Sequence, residues 1–300
     1  MNLATLSNHN RINEILDPVR TTFNNYELLV QRDTALFKVY HGLMIGAVYC
    51  SDDSNVTVAL SVDVVERLRT LSQVHPKIVG PRLLGSLWYH GRLLASFDRL
   101  KEAANWLESH GNKYSELVTA DVEIGQWYIH LLLNLAEVLK DQGDLDRAKA
   151  ILRRAAETGR SFSGAVNYNT AFLMCVAVSH EAGIENCLGD NTSALKLCKQ
   201  SLSSARSNLR NTSIALFQLQ HSKLLTADEE HGEALLEARE SGNIITNAST
   251  TSCSRSINIS PFGHPSFYEP GHHVLQMKRT LLKHLKLQNK VRKKPSESKG

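Results

Sequence analysis

Between residues 129 and 160 the apolar positions fall on two helical faces separated by a turn. Leu132, Leu135, Ala136 and Leu139 recur at the three- and four-residue spacing of one helix face, Gly143-Asp144 interrupts it, and Ala148, Leu152 and Ala155 resume it. That periodicity predicts a helix, a turn and a second helix. The small residues Ala136 and Ala148 suit a close helix crossing, and a glycine can end the first helix without backbone strain. The same register fits the preceding segment, where Leu87, Gly91 and Leu94 lie on a first helix, Asp98 at the turn, and Ala103 and Leu107 on a second. It also fits the following one, with Phe172 to Ala182, the turn Gly189-Asp190, then Ala194, Cys198 and Ser201.

A large residue, a Leu-small pair, a glycine turn and an alanine in the second helix is the pattern of a tetratricopeptide (TPR) unit. The expected fold is therefore all-α, a TPR-like superhelix (α-solenoid) of antiparallel helix pairs. The turn-flanking alanines Ala103, Ala148 and Ala194 lie 45 and 46 residues apart, whereas TPR units repeat every 34 or so residues. Either the helices are longer, or the connections carry inserts such as Ser109–Ser115 and Gly159–Ala165. Ala35 to Tyr49 is apolar around most of its circumference, as in a buried helix. Val58, Val62, Val65 and Leu68 mark a helix from Val56 to Leu71. Asn211–Leu225 and Thr226–Glu240 read as a closing pair, with Thr226 and Glu229 spaced as a capping box. From Asn243 to Ser260 the chain is mostly Ser, Thr and Asn with few apolar residues, too polar to build a core. Val274 to Val291 can form a basic amphipathic helix. The expected organisation is a helical repeat domain over 1–242, a polar linker over 243–267 and a basic tail over 268–300.

Charge changes the picture only at the C-terminus. The formal net charge is +4, but Met277 to Lys299 holds nine Lys/Arg against Glu297 alone, leaving 25 basic and 29 acidic residues elsewhere. A mildly acidic body with a basic tail is not a uniformly basic nucleic-acid-binding domain. The longest purely apolar run, Ala171 to Val178, is eight residues, against about 20 for a membrane span, so no membrane association is expected. No secretory signal is read at the N-terminus. Five cysteines without C-x-x-C spacing read as reduced, intracellular thiols.

No catalytic constellation is apparent, and neither a cofactor nor a metal is expected. His264, His272 and His273 lack the spacing of a zinc site. Gly159-Arg160-Ser161-Phe162-Ser163 approaches a nucleophile elbow but lacks its closing glycine, and it is read as a connecting loop. The surface a helical repeat offers is the concave face of its first helices. There Trp88, Tyr89, Arg92, Trp127, Tyr128, His130 and Asn134 are the candidate partner-binding residues. The near-repeat of Trp-Tyr-His and Trp-Tyr-Ile-His has two readings, rings filling the layers between repeats or rings contacting a peptide. In the tail, Lys278, Arg279, Lys290, Arg292, Lys293 and Lys294 suit solvated disorder, nuclear targeting or weak contact with nucleic-acid phosphates.

The stretch from Thr34 to Gly159, roughly 125 of the 300 residues, resembles the C-terminal part of the smaller, TPR-rich subunit of the cohesin-loading complex, the Mau-type sister-chromatid cohesion factor. Leu36-Phe37 through Ile45-Gly46-Ala47-Val48-Tyr49, then Val65-Glu66-Arg67-Leu68, carry the likeness. So do the Leu83–Leu107 helix pair, with Arg99-Leu100-Lys101-Glu102-Ala103, and the next pair ending near Ala156. The resemblance implies a nuclear, non-enzymatic scaffold that wraps the extended N-terminal segment of the Nipped-B-type loader subunit in sister-chromatid cohesion. Read from the residues alone, a TPR adaptor in another multisubunit assembly, such as the anaphase-promoting complex, or a protein contacting nucleic acid through its basic tail is the alternative function, and the cytoplasm is the alternative to nuclear residence.

Overall fold

The structure, a computed structural model, describes residues 14, 16–27, 37–49, 54–115, 121–162, 168–209, 211–227, 236 and 239–241. These residues are helical apart from turns, and no strand occurs among them. The fold is all-α and built of TPR-like helix pairs, as the apolar pattern predicts. The chain divides into two compact units, Met1–Ile151 and Leu152–Gly300. The boundaries expected near 242 and 267 lie outside the described residues.

The first unit begins with α1 (residues 16–27), followed by α2 (Phe37–Tyr49), α3 (Ser54–Val74), α4 (Pro76–Ser96), α5 (Leu100–Tyr114) and α6 (Val122–Asp141). Helix α7 (Leu145–Ser161) starts in this unit and ends in the second. Phe23 of α1 meets the Tyr40 ring edge-on at 6.3 Å, and Arg20 and Glu27 pair with Asp63 and Arg67 of α3 at 2.6 and 2.8 Å. Onward, α3 packs on α4, α4 on α5, and α6 on both α4 and α5. The second unit repeats this arrangement, with α8 (Tyr168–Cys187) on α9 (Asn191–Asn208) and α10 (Asn211–Ala227) against both.

The repeat is most visible at its turns. After α4, α6 and α8 the chain passes through a residue with positive φ: Asp98 at 60°, Gly143 at 83° and Gly189 at 84°. At each turn two backbone N–H groups close on the preceding helix in the Schellman pattern. Gly143 N–H donates to Lys140 O and Asp144 N–H to Leu139 O, both at 2.9 Å, and the bonds at Asp98-Arg99 and Gly189-Asp190 match them. The alanines that follow, Ala103, Ala148 and Ala194, are each 0% exposed. Seven residues before each turn stand Gly91, Ala136 and Ala182, all buried. A Cβ on Gly91 would come within 2.5 Å of Leu107 Cδ2, so that crossing admits nothing larger than hydrogen without movement.

Several expectations are corrected. The long period comes from longer helices, because α5 runs through Ser109 to Tyr114 and α7 ends at Ser161. Hence Ser109–Ser115 is not an insert, and Gly159 to Ser161 close a helix rather than form a loop. In α3 the buried face is Val56, Leu60, Val64, Val65, Leu68 and Leu71, which leaves Val58 and Val62 half-buried on its flank. Helix α2 is not buried all round, since Leu43 is 41% exposed. Helix α10 continues through Thr226 to Ala227, so Thr226 does not cap a new helix, and Glu229 lies outside the described residues.

Candidate partner-binding site

In the first unit the first helices of two successive pairs, α4 and α6, pack together and bring several of the predicted residues onto one face. The Trp127 ring lies across Gly85 of α4, where a Cβ would come within 3.3 Å of it. Trp88 meets Trp127 at 6.2 Å and His130 at 6.2 Å, and Trp127 meets His130 at 5.5 Å between ring centroids. The exposed Arg92 holds its guanidinium 5.3 Å from the Trp88 ring centroid, within cation–π range. One face thus gathers Trp88, Arg92, Trp127 and His130 from two helices.

Turn positions on either side show that the two Trp-Tyr motifs are not equivalent repeat positions. Trp88 and Trp127 are 39 residues apart, whereas Ala103 and Ala148 are 45 apart. Counted from the turns, Trp88 corresponds to Leu133 and to Ser179. The rings meet because Trp127, early in α6, packs beside the middle of α4.

Burial then separates the candidates. Tyr128 is 2% exposed and Trp88 7%, so both are core and offer little surface to a partner. For Tyr128 and Trp88 the burial matches the reading of rings that fill the layers between repeats. Asn134 is also buried, and its Nδ2 donates to the Trp88 carbonyl at 3.1 Å. Its amide ties α6 to α4 rather than facing outward. The second unit holds the corresponding tie, with Gln220 of α10 donating from Nε2 to the Ser179 carbonyl of α8 at 2.8 Å. Sequence reasoning missed this pair, because nothing in spacing marks which amide reaches a neighbouring helix. Trp127 is half-buried and Arg92 is exposed, and these two define the accessible part of the face; Tyr89, next to Trp88 on α4, is half-buried. His130, half-buried, has its pKa pushed down to about 4 by burial and so is neutral near pH 7.

The basic-tail residues Lys278, Arg279, Lys290, Arg292, Lys293 and Lys294 lie outside the described residues, as do His264, His272 and His273. Among the described residues no group of three His, Cys, Asp or Glu could hold a metal ion, and no helix is long and apolar enough to cross a membrane.

No family model matches the chain, and no curated protein matches it. Solved structures do. BtubC (BKLC) from P. vanneervenii superposes with a TM-score of 0.59 at 13% identity, covering 82% of this chain and 94% of that one. The Pyrococcus horikoshii STAND (Signal Transduction ATPase with Numerous Domains) protein with a tetratricopeptide repeat sensor gives a TM-score of 0.47 at 10% identity, over 78% of this chain and 36% of that one. At such identities it is the fold that the BtubC likeness shows, and together with the repeated turns it makes this a TPR-like helical repeat.

Proposed function

We propose that the chain is a non-catalytic scaffold that holds an extended segment of a partner protein across the shared face of α4 and α6. The observation that carries this reading is half-buried Trp127 set against Trp88, over whose ring the exposed Arg92 holds its guanidinium. An extended partner loses about 1–2 kcal/mol of backbone freedom per ordered residue, so it must be held by a few strong anchors. Trp, Tyr and Arg are the residue types that most often supply them. The accessible pair spans two helices, which suits a strand-like segment crossing them better than a compact ligand.

The resemblance over Thr34–Gly159 supplies the identity of the partner in this proposal: the N-terminal segment of the Nipped-B-type cohesin loader. The protein would then act in the nucleus, in sister-chromatid cohesion. Affinity purification of the full chain from nuclear extract, with mass spectrometry of the retained proteins, tests it. Recovery of the loader together with cohesin is the expected result. Recovery of a different large assembly, the anaphase-promoting complex for example, would keep the scaffold reading and discard the family.

A further inference from the structure

On the far side of α4 from Arg92 and Trp127, three rings from two helices are packed together. His90 of α4 meets Trp106 of α5 at 4.1 Å between ring centroids, and Trp106 meets His110, one turn later on α5, at 4.2 Å. Trp106 also donates from Nε1 to the Leu87 carbonyl at 3.3 Å. Each imidazole is fixed from α3. Ser61 Oγ donates to the Val58 carbonyl at 2.7 Å, which uses its only hydrogen. The 2.6 Å contact between Ser61 Oγ and His90 Nδ1 therefore has the imidazole as donor. His110 donates from Nδ1 to the Trp106 carbonyl at 2.8 Å and accepts at Nε2 from Arg69 at 3.0 Å. Both histidines are thus neutral Nδ1–H tautomers, with Nε2 as the position left for a proton.

We infer that the His90–Trp106–His110 stack is an acid-operated latch that holds α5 against α3 and α4, and that proton uptake there frees α5 before the rest of the chain opens. A proton on His110 Nε2 removes the acceptor of Arg69 and sets two cations 3.0 Å apart. A proton on His90 charges a ring that is 2% exposed. The surroundings do not compensate. His90 faces His110, Arg99 and Glu102, and Glu102 is already engaged by Arg99. His110 faces Arg69 and Glu66 of α3 and Lys113 of α5, and Glu66 is already paired with Arg69. Helix α6 meets α5 at Gly111 through Leu131, and among the described residues no α6 charge acts on either imidazole.

Burial pushes the His90 pKa down from 6.5 to about 4 and shifts His110 in the same direction. A fall to about 4 means protonation is held back about 300-fold in the folded state. Because the folded values lie below the unfolded ones, the latch contributes fully above about pH 6.5 and its contribution is lost as pH falls toward 4. Helix α5 is suited to leave first, since Arg99 at its N-cap makes no side-chain cap bond.

Hydrogen exchange of the full chain at about pH 7.5 and about pH 5, corrected for intrinsic rates, tests the latch. Residues 100–114 should lose protection by about tenfold or more relative to 168–208 at the lower pH. The double variant His90→Asn, His110→Gln, which removes the titration, should show none of that loss. Equal loss across both segments, or the same loss in the variant, would overturn the latch. Should the variant fail to fold, two-bond proton–nitrogen spectra of the unmutated protein decide at about pH 5.5. A neutral Nδ1–H imidazole is expected at His90, and a protonated ring at His90, or an Nε2–H ring at either position, refutes the inference.

Discussion

At the scale of single residues, the turns carry the clearest energetic signature of the repeat. Positive φ suits glycine because an L side chain there crowds its own backbone. Gly143 and Gly189 obey this rule and Asp98 does not. Replacing Asp98 with glycine should raise stability by about 1 kcal/mol, while Gly143→Ala should lower it by about 1–2 kcal/mol although its Cβ would meet no neighbour. Urea unfolding of the two variants checks both signs, and a destabilised Asp98→Gly would show that the carboxylate supplies more than the backbone costs. Gly143 and Gly189 were legible in the sequence as turns because glycine followed by aspartate announces a helix stop and a new cap. Asp98 was legible only as a turn residue, because its conformation follows from the helices on either side.

At the scale of elements, the paired helices were visible where small residues recur in register, and were misjudged where packing overrides pattern. Helix α1 was not predicted, although Leu16, Val19 and Phe23 sit at helical spacing after Glu14 and two of them are buried. Seven apolar-poor positions around them dilute that signal. The buried face of α3 was placed about one position off, because Thr57 and Ser61 are buried there and a hydrophobic pattern does not count them. Ser61 is buried because it serves His90. The amide ties were invisible for the same reason, being polar groups whose partners are backbone carbonyls on another helix. Asn134→Ala should cost about 1–3 kcal/mol, the penalty of leaving the Trp88 carbonyl without its donor and opening space in the core. Gln220→Ala should cost less, since Gln220 is only half-buried and water can replace it at Ser179. Thermal unfolding of the two variants gives the order, and equal losses would contradict the difference in burial.

At the scale of the whole molecule, the all-α repeat class was readable from periodicity, turns and the lack of strand alternation. The binding face was readable only in outline. Aromatic residues on first helices pointed to the right helices, but which rings turn outward depends on how α4 and α6 slide past each other. Trp127 rests on Gly85 and keeps one side accessible, whereas Tyr128, its neighbour in sequence, is enclosed. The proposed scaffold role therefore rests on Arg92 and Trp127 rather than on the full set of aromatic candidates. The most direct test is the affinity of the full chain for the immobilised N-terminal segment of the Nipped-B-type loader, measured for the unmutated protein and for Arg92→Glu and Trp127→Ala. The unmutated chain should bind, and each variant, still folded by its unfolding transition, should bind about tenfold or more weakly, a difference of about 1.4 kcal/mol or more. Variants that stay folded and bind as tightly as the unmutated chain would contradict it, because the segment would then be held somewhere other than the α4–α6 face.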